Sequence, residues 1–136
     1  MTSTKNLWGE LPAPRELPSL PNRILKEQGS KLTELTSGAL IGEVISQDQS
    51  NQLLASTLRI KVPSLNNYIF NVVNIKYGIN LYPVTVSDLT GQSQNGVCKT
   101  VEDYEKKLEN IFTSPKVKSV IQALLAQVSE ETHEAE

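Results

Sequence analysis

Tyr68-Ile69-Phe70-Asn71-Val72-Val73-Asn74-Ile75-Lys76-Tyr77 is β-branched or aromatic at most positions and reads as a strand. With the two-residue period of a strand, Tyr68, Phe70 and Val72 fall on one face and Ile69, Val73, Ile75 and Tyr77 on the other. Both faces are then apolar, whereas a small sheet covered on one side should alternate cleanly. The second face of such a strand must find cover from a helix, a ligand or a partner.

This strand sits third in a run from Ala39 to Leu89. Ala39 to Ser46 reads as the first, closed by the polar loop Gln47-Asp48-Gln49-Ser50-Asn51. Leu53 to Val62 reads as the second, with Leu54, Leu58, Ile60 and Val62 on one face and Thr57, Arg59 and Lys61 on a wet one. Pro63-Ser64-Leu65-Asn66-Asn67 leads into the third, and Gly78-Ile79-Asn80 into a fourth over Leu81 to Val86, where Pro83 marks an edge or a bulge. Short connections make this a four-stranded antiparallel meander.

Helices flank it. Pro21 suits the first turn of a helix whose Ile24, Leu25, Gln28, Leu32 and Leu35 keep one stripe, with Gly38 at C′. Gly29 weakens that helix by up to about 1 kcal/mol relative to alanine and invites a break. Gly91 to Gly96 reads as a flexible loop. Thr100 then caps a helix with Glu102 and Asp103 in its first turn and Val101, Tyr104, Leu108, Ile111 and Phe112 on one stripe. Ser114-Pro115 starts a last helix carrying Val117, Val120, Ile121, Leu124, Leu125 and Val128 at helical spacing. The class is α+β: an N-terminal helix, the meander, and two C-terminal helices packed on the sheet. Residues 21–128 form one domain, preceded by a Pro-rich extended arm over 1–20 and followed by an acidic tail over 129–136.

The arm carries Pro12, Pro14 and Pro18, with Pro21 following, and its large anchor is Trp8 in Leu7-Trp8-Gly9-Glu10-Leu11. Trp8 is expected to pack on its own domain, because an isolated exposed tryptophan is uncommon on monomers; otherwise it reaches for another molecule.

Composition excludes several functions. Thirteen basic residues against fifteen acidic ones give a net charge of −2, which disfavours nucleic acid as the main partner. A lone Cys98 suits a reducing compartment and places the protein in the cytoplasm. No signal-peptide core opens the chain and no stretch approaches the roughly 18 apolar residues of a membrane span, so neither export nor a membrane is expected.

The chemistry is sparse. His133, the single histidine, lies in the acidic tail, which removes Ser–His and Cys–His catalysis and histidine-rich metal sites. Among the carboxylates, Asp48 and Asp88 read as turn residues and Glu102 and Asp103 as a helix start; Glu43 alone interrupts an apolar strand, and an exposed strand face accounts for it. Gly91 to Thr100 imitates a phosphate loop, but Val97 and Cys98 separate the second glycine from Lys99. Arg59, Lys61 and Lys76 make a basic patch only if register brings them to one face, and parity puts Lys76 with Phe70 and Val72.

No catalytic residue, cofactor or metal ligand is therefore expected. The sequence points to a non-enzymatic protein-interaction module of accessory, adaptor or immunity type. Its contact residues would be Trp8 and the second strand face of Ile69, Val73, Ile75 and Tyr77, its partner another protein or a second copy in a homodimer. The alternative is a small-molecule binder or histidine-free enzyme with a pocket between sheet and C-terminal helices, fitted by Tyr68, Tyr77, Tyr82 and a carboxylate.

Overall fold

The computed structural model describes residues 5–13, 17, 20–48, 53–92 and 94–134. Strands β1 (Ile41–Asp48), β2 (Leu54–Val62), β3 (Tyr68–Tyr77), β4 (Val84–Asp88) and β5 (Gly96–Cys98) form one sheet in the order β1-β2-β3-β4-β5, antiparallel throughout. Helix α1 (Pro21–Leu35) precedes the sheet; α2 (Val101–Phe112) and α3 (Pro115–Glu134) follow it. The α+β class stands, with five strands where the sequence suggests four. The fifth begins at the last residue of the expected loop: Gly96-Val97-Cys98 is too short to display alternation, yet Cys98 pairs with Val84 and is buried. The fourth starts at Val84 rather than Leu81, whose φ of +75° is not extended.

The register of β3 corrects the double-faced reading. Leu58 pairs with Val73, but the next residue, Arg59, pairs with Asn71, so Val72 is an extra residue in β3. Such a bulge shifts the side-chain parity by one. Val72 and Val73 consequently both point inward, 2% and 0% exposed. Phe70 and Val72 before the bulge join Val73, Ile75 and Tyr77 after it in a single apolar face, and the second apolar face is absent.

All three helices lie over that face. Helix α1 crosses β1 and β2, α2 lies over β4 and β5, and α3 packs by the turn at Pro63–Leu65 that joins β2 to β3. Leu25, Leu40, Ile60, Val73, Ile75 and Tyr104 are among the fully buried side chains between the layers. Caps fall where the sequence places them: Thr100 Oγ1 accepts from Asp103 N–H at 3.1 Å, and Ser114 Oγ from Val117 N–H at 3.3 Å. Helix α1 ends with Ser37 N–H on Glu34 O and Gly38 N–H on Thr33 O, which places Ser37 at C′ and Gly38 one residue later than expected. Helix α3 continues through Glu134, so the backbone of 129–134 is helical where a tail was expected.

Gly29 does not break α1. It is the point at which the helix meets β1: a Cβ there would lie 2.6 Å from the Gly42 carbonyl oxygen. Only glycines at 29 and 42 let the two backbones approach this closely. The stripe that packs is accordingly Leu25, Gly29 and Leu32, while Leu35 is 71% exposed.

Alanine is a better helix former than glycine by about 1 kcal/mol, yet Gly29→Ala drives a methyl into backbone and should lower the unfolding free energy by about 1–3 kcal/mol. Urea unfolding measures it, and a variant as stable as the parent would contradict the contact.

Candidate functional site

The arm makes a local turn. Asn6 Oδ1 accepts from Trp8 N–H at 2.9 Å and Asn6 Nδ2 donates to Gly9 O at 3.2 Å, the side-chain-to-backbone bonding by which asparagine mimics a turn. Gly9 takes a φ of +70°, which glycine adopts at no steric cost. The turn presents Leu7, Trp8 and Leu11 to solvent at 82%, 83% and 73% exposure. The expected docking of Trp8 on its own domain is therefore not seen. Its apolar area, with that of its two leucine neighbours, is free for another molecule.

The other anticipated contact residues are placed differently. Val73, Ile75 and Tyr77 lie in the core beneath the helices because the bulge turned them inward, so a partner cannot reach them in the folded chain. Ile69 lies opposite Lys61 on the outer face of the sheet. That face carries polar side chains across its middle strands. Arg59 pairs with Glu43 at 2.5 Å across β1 and β2, and Asn74 Nδ2 donates to Thr57 Oγ1 at 2.9 Å. The bulge also brings Lys76 to the face of Arg59 and Lys61, against the parity of an unbroken strand. Lys76 nevertheless stands opposite Ala55, about 13 Å from Arg59 at the rise of a strand. With Arg59 neutralised by Glu43, the three cations do not converge.

Between α1, the sheet and the C-terminal helices is an apolar hollow of about 200 Å³, lined by Leu32, Leu35, Ile60, Val72, Phe112 and Ile121, with Gln28 and Lys31 as its polar members. None of the expected tyrosines reaches it. Tyr68 is exposed at the start of β3, Tyr77 is core, and Tyr82 meets Tyr104 edge-on at 6.3 Å between ring centres. The volume falls short of the roughly 300–1,000 Å³ of pockets for drug-sized ligands and suits one ring or a short alkyl chain.

The titratable groups in the interior read as structural. Tyr104, fully buried, donates its hydroxyl to Pro21 O at 2.8 Å and so ties α2 to the start of α1. Burial, with lesser contributions from Tyr82, Tyr77 and Cys98, holds its phenol well above the ordinary 10.0. Burial and then the Asp103 charge raise the Cys98 thiol, against a lowering by Lys107, which keeps it protonated and unreactive near neutrality. Asp88 Oδ1 accepts from Thr90 N–H at 2.8 Å and closes the turn after β4, as a turn aspartate does. Among the described residues no three His, Cys, Asp or Glu side chains are grouped to hold a metal ion, and no helix is long and apolar enough to cross a membrane.

Comparison of the chain with protein-family profiles, with curated proteins and with solved structures found no match.

Folded Tyr104 holds its proton more tightly than the unfolded chain, so its contribution to stability is complete below pH 10.0 and shrinks as pH rises beyond it. Tyr104→Phe should cost about 0.5–1.5 kcal/mol at neutral pH through the lost hydrogen bond and should flatten the fall in stability above pH 10.0. Denaturant melts from neutral to alkaline pH check both; an alkaline loss equally steep in the variant would assign it elsewhere.

Proposed function

We propose that this chain is a non-enzymatic protein-interaction module, of accessory, adaptor or immunity type, whose contact element is the Asn6–Gly9 turn of the arm. The single observation that carries this reading is Trp8 at 83% exposure inside a turn fixed by its own hydrogen bonds. Tryptophan is the residue most enriched at binding hot spots and buries about 150–250 Å² when covered. A turn that already has its shape loses less entropy on binding than a free peptide. The partner chemistry that suits Leu7, Trp8 and Leu11 is an apolar pocket on a folded protein. The net charge of −2 and the Arg59–Glu43 pair argue against a nucleic-acid ligand, and the buried lone thiol of Cys98 suits a cytoplasmic setting.

A second reading draws on the 200 Å³ hollow, whose apolar walls suit a small aromatic or alkyl ligand. In that case Leu32→Trp, which fills the hollow, abolishes binding of the ligand while Trp8→Ala leaves it intact.

The test of the first reading uses the one tryptophan of the chain as its own reporter. Trp8→Ala should change unfolding free energy by no more than about 0.5 kcal/mol, and Trp8 emission in the free protein should be that of a solvated indole. Affinity capture with the full chain should retain a discrete protein that Trp8→Ala fails to retain and that a peptide of residues 5–13 displaces. A blue-shifted emission with a large loss of stability in Trp8→Ala would mean that the arm packs on its own domain and would overturn the proposal.

A further inference from the structure

The two edges of the sheet are not equivalent. β5 has three residues and is followed by Lys99; β1 has eight, Ile41–Asp48, and contains neither of the residues, lysine and proline, that usually blunt an edge. Along one strand of an antiparallel pair, successive residues alternate between bonding the neighbour and pointing away from it. Gly42 N–H points away, because it donates to Thr33 Oγ1 of α1 at 3.0 Å. The β1–β2 register runs without interruption from Ile41↔Lys61 to Asp48↔Leu54. The amides of Val44 and Ser46 therefore point out of the sheet as well, and Glu43 and Ile45 bond β2.

Helix α1 covers only the first part of this edge. At its C-terminal end Thr33 satisfies Gly42 and Thr36 Oγ1 accepts from Leu40 N–H at 3.1 Å. At its N-terminal end Asn22 hydrogen-bonds Tyr77 through its backbone, and Tyr77 pairs with Leu54, which pairs with Asp48. The helix thus runs diagonally, from above the edge at Gly42 inward across β2, with its first turn in reach of the Tyr77 hydroxyl. Past Val44, α1 thus moves off the outward backbone groups of β1, and among the described residues no other helix packs closely on that strand.

We propose that this stretch of β1 pairs antiparallel with the same stretch of a second copy about a two-fold axis, joining two sheets into one. The strand is complementary to itself in that arrangement. With Val44 opposite the second copy's Ser46, the outward amides on both sides find carbonyl oxygens, Ile45 meets the second copy's Ile45 on the outer face, and Glu43 faces Gln47, so that no like charges oppose. The overhang of α1 at Gly42 then faces the far end of the other β1, where that copy's own α1 has turned inward from the edge, so the two helices stay apart. This contact is separate from the arm and would stand if the reading of the arm failed.

The experiment combines light scattering with amide exchange of the ¹⁵N-labelled full chain, from low to high micromolar concentration. The expected result is a dimer mass at the upper end, with Val44 and Ser46 amides gaining protection as concentration rises and Glu43 and Ile45 protected throughout by β2. Ser46→Pro, which deletes an outward donor without touching the β2 ladder, should leave a folded monomer, and Trp8→Ala should stay dimeric. A wild-type chain that remains monomeric at high micromolar concentration would overturn the proposal. So would a dimer in which Val44 and Ser46 exchange as fast as in the monomer, or one that Trp8→Ala abolishes. If Ser46→Pro fails to fold, the exchange pattern of the wild type decides alone.

Discussion

The bulge at Val72 and Val73 is the constraint from which the rest of the architecture follows, because it merges two half-strands of opposite parity into one apolar face. Phe70 and Val72 would otherwise point away from Val73, Ile75 and Tyr77. With all five turned the same way, every helix packs on one side of the sheet, and the other side carries the Arg59–Glu43 pair, Asn74, Thr57, Lys61 and Lys76 beside Ile45 and Ile69. Each large side chain so buried contributes about 1.5–3 kcal/mol. The functional consequence is as direct: among the described residues no second apolar face remains for a partner, and the surfaces open to contact include the arm, the outer edge of β1 and the small hollow beside α1.

Helix α1 depends on that single face and in turn determines which surfaces stay open. Its diagonal path is held at one end by Tyr104 on Pro21 and at the other by the backbone approach of Gly29 to Gly42, with Thr33 and Thr36 hydroxyls taking up the amides of Gly42 and Leu40. Side-chain hydroxyls satisfying buried edge amides serve where a further strand would otherwise be needed. The helix stops short of covering Val44 to Asp48. It also leaves Leu35 outside the core, at the mouth of the apolar hollow.

The sequence displays the helices and the order of elements plainly, since Thr100, Ser114 and Pro21 are local signals that act within one turn of the residues they cap. What it hides is non-local. A bulge needs the pairing strand to be seen: Val72-Val73 alone reads as an ordinary alternation, and only the jump from Leu58↔Val73 to Arg59↔Asn71 reveals the extra residue. The face of Lys76 depends on that same jump. β5 is hidden by its length, three residues with a glycine among them, and becomes a strand because β4 is there to pair with it. Gly29 looks like a helix breaker until Gly42 is placed against it. For the site, Trp8 is legible as the conspicuous residue of the arm, and the sequence signal for its turn is an asparagine three residues before a glycine, Asn6 and Gly9.

The direct test of the bulge is the unfolding free energy of two single variants, Val72→Ala and Val73→Ala, measured side by side. A bulged β3 buries both valines, so each variant should lose about 1 kcal/mol or more. In a straight strand one of the two would face solvent and its variant would lie within about 0.5 kcal/mol of the parent, which would contradict the single-faced sheet.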